Sequence, residues 1–396
     1  MHSSSLLLAR RSSLLLQQLR QSLAGERRKR HWVSCEPSPS PLPRRKTSSS
    51  SAEATVSLQA RTFSRLVRFE KEEEADMVAG ATVTNGVLTP LCPDRTLDEV
   101  LSLPQVQIKD RNRTMSKIRK MVNVGVDKLL VISDFDHTLS RAYDEKGKTC
   151  WTTHAVFDNE TLVMDQELVK KLKVLRAHYH PIEFDNGMTM EEKIPHMENW
   201  WRESHQHIVD THVDRATIEN FVRGSYIRLR DDAPVLLRRL EEMGVPLILF
   251  SAGIGDVITI FLKQQLAHSP SNIHLISNVM TFDSNDRLQG FSDPLIHTFN
   301  KNGSVIGEQQ RADPRFAYDV DTRSNVILMG DSMGDVSMAM GVENHRAEDT
   351  LKIGFLNKRP ELLPHYLNVY DIVLVDDQSV AVPNALLEAI FTRAAI

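Results

Sequence analysis

The chain has 396 residues, a net charge of −4, a pI near 6.4, 41% hydrophobic and 25% charged residues. That length accommodates two domains with extra segments, and the charge gives no support for a nucleic-acid polymer as partner. No apolar run approaches the ~18 residues that span a bilayer, and three separated cysteines, Cys35, Cys92 and Cys150, make neither a disulfide framework nor a zinc site, which favours a reducing, intracellular setting.

Residues 1–76 stand apart in composition. Met1 to Gly25 carry no acid, arginines at Arg10, Arg11 and Arg20, and leucine triplets at Leu6–Leu8 and Leu14–Leu16. Arg27-Arg28-Lys29-Arg30, a Ser/Pro tract and a serine run follow. This composition reads as a mitochondrial or plastid transit peptide; the alternative is a disordered basic tail on a cytoplasmic protein. Residues 77–124 form a leading segment, with a helix predicted over Val106 to Val124 from Ile108, Met115, Ile118 and Met121 and ended by Gly125. Residues 125–151 open the core with a strand from Lys128 to Ser133. Residues 152–228 make up the next segment, which from about Met164 to Gly224 offers no good strand candidate. Leu168, Leu172, Leu175 and Tyr179, then Ile194, Met197, Trp200 and Trp201, then Ile218, Phe221 and Val222 recur at helical spacing between Met164 and Gly224, which predicts a helical cap.

Alternation of strand and helix resumes over 229–396. A helix capped by Asp231 or Asp232, with Pro234 in its first turn, closes at Gly244. Strands follow at Val245–Phe250, Ile273–Ser277, Asn325–Met329, Lys352–Phe355 and Ile372–Val375, with a hairpin over Met280–Phe291. Helices are predicted at Asp256–Ala267, at Asp335–Met340 up to Gly341, and at Val380–Phe391. The fold class is therefore α/β: a Rossmann-type parallel sheet with helices on both faces, and a mainly helical cap domain inserted after the first core strand.

Three buried strands end in polar residues. One ends in Asp134 and Asp136, one in Ser251-Ala252-Gly253-Ile254-Gly255, and one in Asp331, followed by Ser332 and Asp335. Ligands of open parallel sheets bind outside the carboxyl ends of the strands. Asp134 and Asp331, with the Asp136 carbonyl, suit Mg²⁺, which takes hard oxygen ligands. Asp134 is assigned as a nucleophile toward phosphorus and Asp136 as the general acid and base. Ser251 and the amides after it face the phosphoryl oxygens, beside the start of the Asp256 helix. Lys301 balances equatorial charge, and Asp335 holds that lysine or a metal-bound water. An isolated Asp-x-Asp also occurs in metal-dependent glycosyltransferases and on plain surfaces, and Ser-Ala-Gly-Ile-Gly lacks the third glycine of a dinucleotide fingerprint. The convergence of all three strand ends carries the reading.

Asp134-Phe135-Asp136-His137-Thr138-Leu139-Ser140, Phe250-Ser251-Ala252-Gly253-Ile254-Gly255-Asp256, Asn300-Lys301 and Gly330-Asp331-Ser332-Met333-Gly334-Asp335 resemble the four signature motifs of the haloacid dehalogenase (HAD) superfamily. Over Gln105 to Phe391 the chain is similar to the cytosolic 5′-nucleotidase III, or pyrimidine 5′-nucleotidase, group. Met190-Glu191-Glu192-Lys193, Leu295-Ile296-His297 and Leu351-Lys352-Ile353-Gly354 carry that narrower match. The resemblance implies Mg²⁺-dependent hydrolysis of nucleoside 5′-monophosphates through an aspartyl-phosphate, with CMP and UMP preferred and 7-methylguanosine monophosphate accepted by some members. It implies a cap that closes over the nucleoside, base contacts at Glu183 and Ser204, and phosphate contacts at Ser251, Ala252 and Lys301, with Thr138 and Asp335 in support. From the residues alone, Glu183 reads first as a solvated surface acid rather than a base contact, and Trp200 and Trp201 as core rather than a stacking platform. A monomer without membrane partners is expected. Alternatives are the same chemistry on another small phosphomonoester, transfer of phosphate to a nucleoside, and a silent binding module.

Overall fold

A computed structural model describes residues 95–159, 165–185, 187–340 and 347–393, all within one unit spanning Val83–Ile396. The transit-peptide reading of residues 1–76, the start of the leading segment, Met164 and the Gly341 helix stop lie outside the described residues.

The element order begins with a short helix α1 (Leu97–Val100), strand β1 (Val106–Gln107), helix α2 (Arg111–Val124) and strand β2 (Leu129–Ser133). Three helices follow: α3 (Gln166–Glu183), α4 (Met190–Val209) and α5 (Arg215–Arg223). The chain continues through α6 (Ala233–Glu242), β3 (Leu247–Ile254), α7 (Gly255–Leu266), β4 (Ile273–Asn278) and the antiparallel pair β5 (Met280–Phe282) and β6 (Leu288–Phe291). It closes with α8 (Gly303–Ala312), α9 (Pro314–Asp321), β7 (Asn325–Gly330), β8 (Thr350–Leu356), α10 (Leu363–Val369), β9 (Ile372–Val375) and α11 (Ala381–Thr392).

Seven strands form one sheet in the order β1-β9-β8-β7-β2-β3-β4. Every pairing is parallel except β1 with β9. Strand side chains alternate between faces, and β2 shows the result. Leu129 and Val131 enter a cluster with Met115, Ile118, Leu236, Val257 and Leu386, from α2, α6, α7 and α11. Leu130 and Ile132 point the other way, into a cluster with Ile306, Phe316, Val320 and Tyr366, from α8, α9 and α10. Both faces of the sheet are covered, as a parallel sheet requires. Each fully buried leucine or isoleucine in these layers contributes about 1.5–3 kcal/mol.

The stretch from β2 to β3 carries α3–α5. Each of these helices begins at an acceptor suited to the orphan amides of a first turn: Asp165 takes the Glu167 and Leu168 amides, Thr189 forms a capping box with Glu192, and Asp214 takes the Thr217 amide. At the join, the outgoing and returning chains are stitched together: the Arg141 amide donates to the Arg228 carbonyl at 2.8 Å and the Trp151 amide to that of Tyr226 at 3.0 Å. The β5–β6 hairpin is bound to this stretch by a Leu288 amide bond to the Val213 carbonyl at 2.9 Å and by Arg215 to Asp286 at 2.7 Å.

Several sequence-based boundaries move. The helix predicted from Val106 begins at Arg111, because Val106 and Gln107 add an antiparallel edge to β9. The strand predicted to end at Phe250 runs on through Ser251 to Ile254. The predicted Asp335–Met340 helix is a 3₁₀ turn over Asp335–Ser337. Asp232 precedes α6, yet its side chain makes no cap bond and its φ is 64°. Helices α8 and α9 have no counterpart in the sequence reading.

Candidate active site

The register of the sheet sets the site. Ser133 pairs with Met329, so the carboxyl ends of β2 and β7 lie side by side. Asp134 continues that pairing through its amide to the Met329 carbonyl at 3.0 Å. Asp331 follows β7 by one residue, and the turn after it returns Asp335 to the same edge. One oxygen each of Asp134, Asp331 and Asp335 lies within 4.8 Å of the others. Gly330 permits this turn, because a Cβ there would sit 2.3 Å from the Asp335 Cβ.

Lys301, immediately before α8, reaches into the group. Its Nζ donates to Asp134 Oδ1 at 2.5 Å and to Asp335 Oδ1 at 2.7 Å. The second Asp335 oxygen accepts from the Asp331 amide (3.1 Å), the Ser332 amide (2.9 Å) and the Ser332 hydroxyl (2.8 Å). Asp335 is therefore spent on holding the lysine and the loop. Asp134, Lys301 and Asp335 are all at least 95% buried. Burial draws the lysine toward neutrality, but the charges of Asp134 and Asp335 outweigh it and keep the ammonium. Burial raises the Asp134 carboxyl to about 6 against the pull of Lys301. Asp331 is raised well above the usual range by burial and by the charges of Asp134 and Asp335.

Asp136, near enough to feel the charges of Asp134 and Lys301, is held by a different partner. Its Oδ1 accepts from the Thr153 amide at 2.9 Å and its Oδ2 from the Thr153 hydroxyl at 2.7 Å. Removal of the carboxylate from water, then the charge of Asp134, pushes it up to about 7. Ser251 is buried beside it: a Cβ on Gly253 would lie 2.9 Å from Asp136 Oδ2 and 3.1 Å from Ser251 Oγ. The Ser251 hydroxyl accepts from the Gly253 amide at 3.0 Å, and the Ile254 amide donates to Thr153 Oγ1 at 3.2 Å. Those two amides serve the protein itself. The Ala252 carbonyl is also taken, by Trp201 Nε1 at 2.8 Å and Asn278 Nδ2 at 2.9 Å. Thr138 is buried, its hydroxyl has no partner among the described residues, and its carbonyl accepts from Arg230 Nε at 2.6 Å.

Glu183 is half-buried at the end of α3 and accepts from the Thr298 hydroxyl at 2.8 Å. Burial raises its carboxyl against that hydrogen bond. The Thr298 carbonyl in turn packs on Gly334, where a Cβ would lie 2.4 Å from it, so Glu183 is tied to the Asp331–Asp335 loop. Ser204 is buried on α4, one residue before His205. Trp200 stacks on Tyr179 at 6.0 Å and meets Trp201 edge-on at 5.2 Å. The sequence did not reveal Thr153, Thr298 or Arg230. Arg230 is a fully buried guanidinium that also holds the His137 carbonyl at 2.5 Å. Tyr366 and Tyr370 escaped it too; their hydroxyls donate to the Asp331 and Ser332 carbonyls, each at 2.5 Å.

Comparison with known proteins identifies the company this site keeps. The family model described as Pyrimidine 5′-nucleotidase (UMPH-1) matches residues 137–391. A protein of Gallus gallus named 7-methylguanosine phosphate-specific 5′-nucleotidase is 43% identical over 286 residues, covering 72% of this chain and 96% of its own length. The Homo sapiens protein of the same name is 39% identical over 290 residues, covering 73% and 93%. Among solved structures, cytosolic 5′-nucleotidase IIIB bound to cytidine superposes with a TM-score of 0.67 at 30% identity, covering 76% of this chain and 98% of that one. The chain belongs to the pyrimidine 5′-nucleotidase family, carries the HAD fold that its motifs imply, and is a 5′-nucleotidase.

Proposed function

We propose that this 5′-nucleotidase hydrolyses pyrimidine nucleoside 5′-monophosphates, CMP and UMP, and 7-methylguanosine monophosphate, through a phosphoenzyme on Asp134. The observation that carries this reading is the convergence of Asp134, Asp136, Lys301, Asp331 and Asp335 at one edge of the sheet. The names of the relatives support the substrate class, and so does the cytidine of the solved neighbour.

The residues fit a divalent cation. Asp134, Asp331 and Asp335 crowd within 4.8 Å of one another around a single ammonium in a largely buried place, and burial and mutual repulsion raise the carboxyls of Asp134 and Asp331, a strain that a hard cation relieves. Asp134 and Asp331, with the Asp136 carbonyl, would hold Mg²⁺. When bound, it would supply charge neutralisation that lets an anionic oxygen approach an anionic phosphate.

In the first half-reaction an Asp134 oxygen forms a bond to phosphorus and the ester bond to the nucleoside 5′-oxygen breaks. Asp136, with its carboxyl raised to about 7, gives its proton to that leaving oxygen. Lys301 sits 2.5 Å from the attacking carboxylate and offsets the charge that develops on the phosphoryl oxygens. In the second half-reaction a water attacks phosphorus, Asp136 takes its proton, and Asp134 leaves with both electrons of the bond. Ser251 serves as a phosphate contact. Helices α3–α5 act as the cap, in which Glu183 accepts from an exocyclic amine of the base and Ser204 lines the same pocket.

A panel of CMP, UMP, AMP, 7-methylguanosine monophosphate and sugar phosphates, assayed for phosphate release with and without Mg²⁺, tests the reading. CMP, UMP and 7-methylguanosine monophosphate should lead, and only with Mg²⁺. Equal rates on sugar phosphates would sink the substrate assignment. A reporter fused to residues 1–76 tests the organelle address; a diffuse cytoplasmic signal would discard it.

A further inference from the structure

Thr153 is fully buried and lies 17 residues beyond Asp136, where the chain leaves the core for α3–α5. Its amide and hydroxyl each donate to a different oxygen of the Asp136 carboxylate, at 2.9 and 2.7 Å. Two donors on two oxygens fix rotation of a carboxylate in a way that one cannot. The same hydroxyl accepts from the Ile254 amide at 3.2 Å, so its proton has one direction left, toward Asp136. Gly253 makes room for this arrangement: a Cβ there would lie 2.2 Å from Thr153 Oγ1. The next residue, His154, lies against Trp201 and His205 of α4, with ring centroids 5.9 and 5.8 Å apart. Thr153 thus joins the carboxylate, the end of β3 and the approach to α4.

We propose that Thr153 is the positioning residue for Asp136, holding its carboxylate in the orientation from which it protonates the leaving oxygen. This rests on Asp136 being the acid. Thr153 touches no reacting atom. It limits the rotamers of a group that does, and a general acid out of line forfeits much of its contribution. Because Thr153 sits in the connection to α3–α5, the aim of the acid is tied to the segment that leads into those helices.

The test is Thr153→Val, which keeps shape and removes the hydroxyl, read as kcat/KM for CMP and for p-nitrophenyl phosphate with Mg²⁺ present. With CMP the value should fall about 10- to 100-fold. With p-nitrophenyl phosphate, whose leaving group departs without a proton, it should fall less than about threefold. Thr153→Ser should recover the CMP value to within about threefold of the wild type. Thr153→Ala removes the same hydroxyl without a branched methyl and serves if the valine variant does not fold. A wild-type value for CMP in a hydroxyl-free variant, or equal losses on both substrates, overturns the proposal. Asp136→Asn separates the two levels. If it keeps full activity on CMP, the reading of Asp136 as the acid fails. If it is impaired while Thr153→Val is not, only the positioning role fails.

Discussion

Replacing Lys301 by methionine isolates the electrostatics of the site with little change in volume. The Lys301 ammonium lies 2.5 Å from Asp134 and 2.7 Å from Asp335, and all three groups are buried. At an effective dielectric of about 20, each contact carries roughly 6 kcal/mol of direct attraction. Desolvation of the three groups offsets much of this, and the net cost of removing one partner from a buried pair is about 3–5 kcal/mol. Lys301→Met should therefore lower the unfolding free energy in EDTA by about 3–5 kcal/mol, or Tm by about 6–10 °C. Mg²⁺ can neutralise the carboxylates that lose their ammonium, so millimolar Mg²⁺ should raise the Tm of the variant more than that of the wild type. Turnover should fall about 10²- to 10³-fold even with Mg²⁺ saturating, because in the proposed mechanism the lysine also offsets charge on the phosphoryl oxygens. Urea unfolding followed by circular dichroism, with and without Mg²⁺, gives the stability, and phosphate release gives the rate. A variant within about 1 kcal/mol of the wild type in EDTA would refute the buried-pair reasoning.

Three other perturbations follow from the same geometry. Gly253→Ala puts a methyl 2.2 Å from the Thr153 hydroxyl, so activity should fall at least about 10-fold; unchanged kinetics would mean the carboxylate is not held as described. Asp331→Asn should weaken Mg²⁺ binding about 10-fold or more by calorimetry on the nucleotide-free protein, while Tm in EDTA holds or rises, since one like charge beside Asp134 is gone. His205, buried beside His154 and Arg202, has its imidazole pushed down to about 3, by burial first and then by those two charges. A histidine lowered in the folded state contributes its full stability above its unfolded pKa and loses it as pH falls. The stability difference between wild type and His205→Phe should thus shrink by about 2.5 kcal/mol from pH 7.5 to 4.5. Parallel stability curves for the two proteins would exclude a neutral buried imidazole.

What the sequence disclosed, and what it hid, divides along physical lines. Strand cores such as Leu129–Ser133 and Asn325–Gly330 are continuous apolar runs, and parallel strands buried on both faces leave that trace. Asp134, Asp136, Ser251 and Asp331 were legible because charged and polar residues directly after such runs have few structural reasons to be there. The strand was read as stopping at Phe250 because small residues interrupt the apolar run there, although Ser251 to Ile254 continue β3. Ile108, seven residues before Met115, fits the phase of the helix that follows it, so the two-residue edge strand β1 was absorbed into that helix. Helices α8 and α9 bury little beyond Ile306, Phe316 and Val320, and glycines at 303 and 307 blur their period. Thr153 left no trace at all: one hydroxyl meeting a carboxylate 17 residues away has neither periodicity nor composition to betray it. The buried Arg230 likewise looks like any surface arginine until its carbonyl partners are seen.

The central claim, that Asp134 carries the phosphoryl group, is tested most directly by trapping it. The wild-type enzyme, turning over CMP with Mg²⁺, is quenched rapidly in acid, reduced with borohydride and digested for peptide mass spectrometry. An acyl phosphate on Asp134 is reduced to the alcohol, so the peptide holding Asp134 should appear with homoserine at that position only when CMP and Mg²⁺ were both present. Reduction at another aspartate, or none at Asp134 while CMP is demonstrably being hydrolysed, would contradict the mechanism.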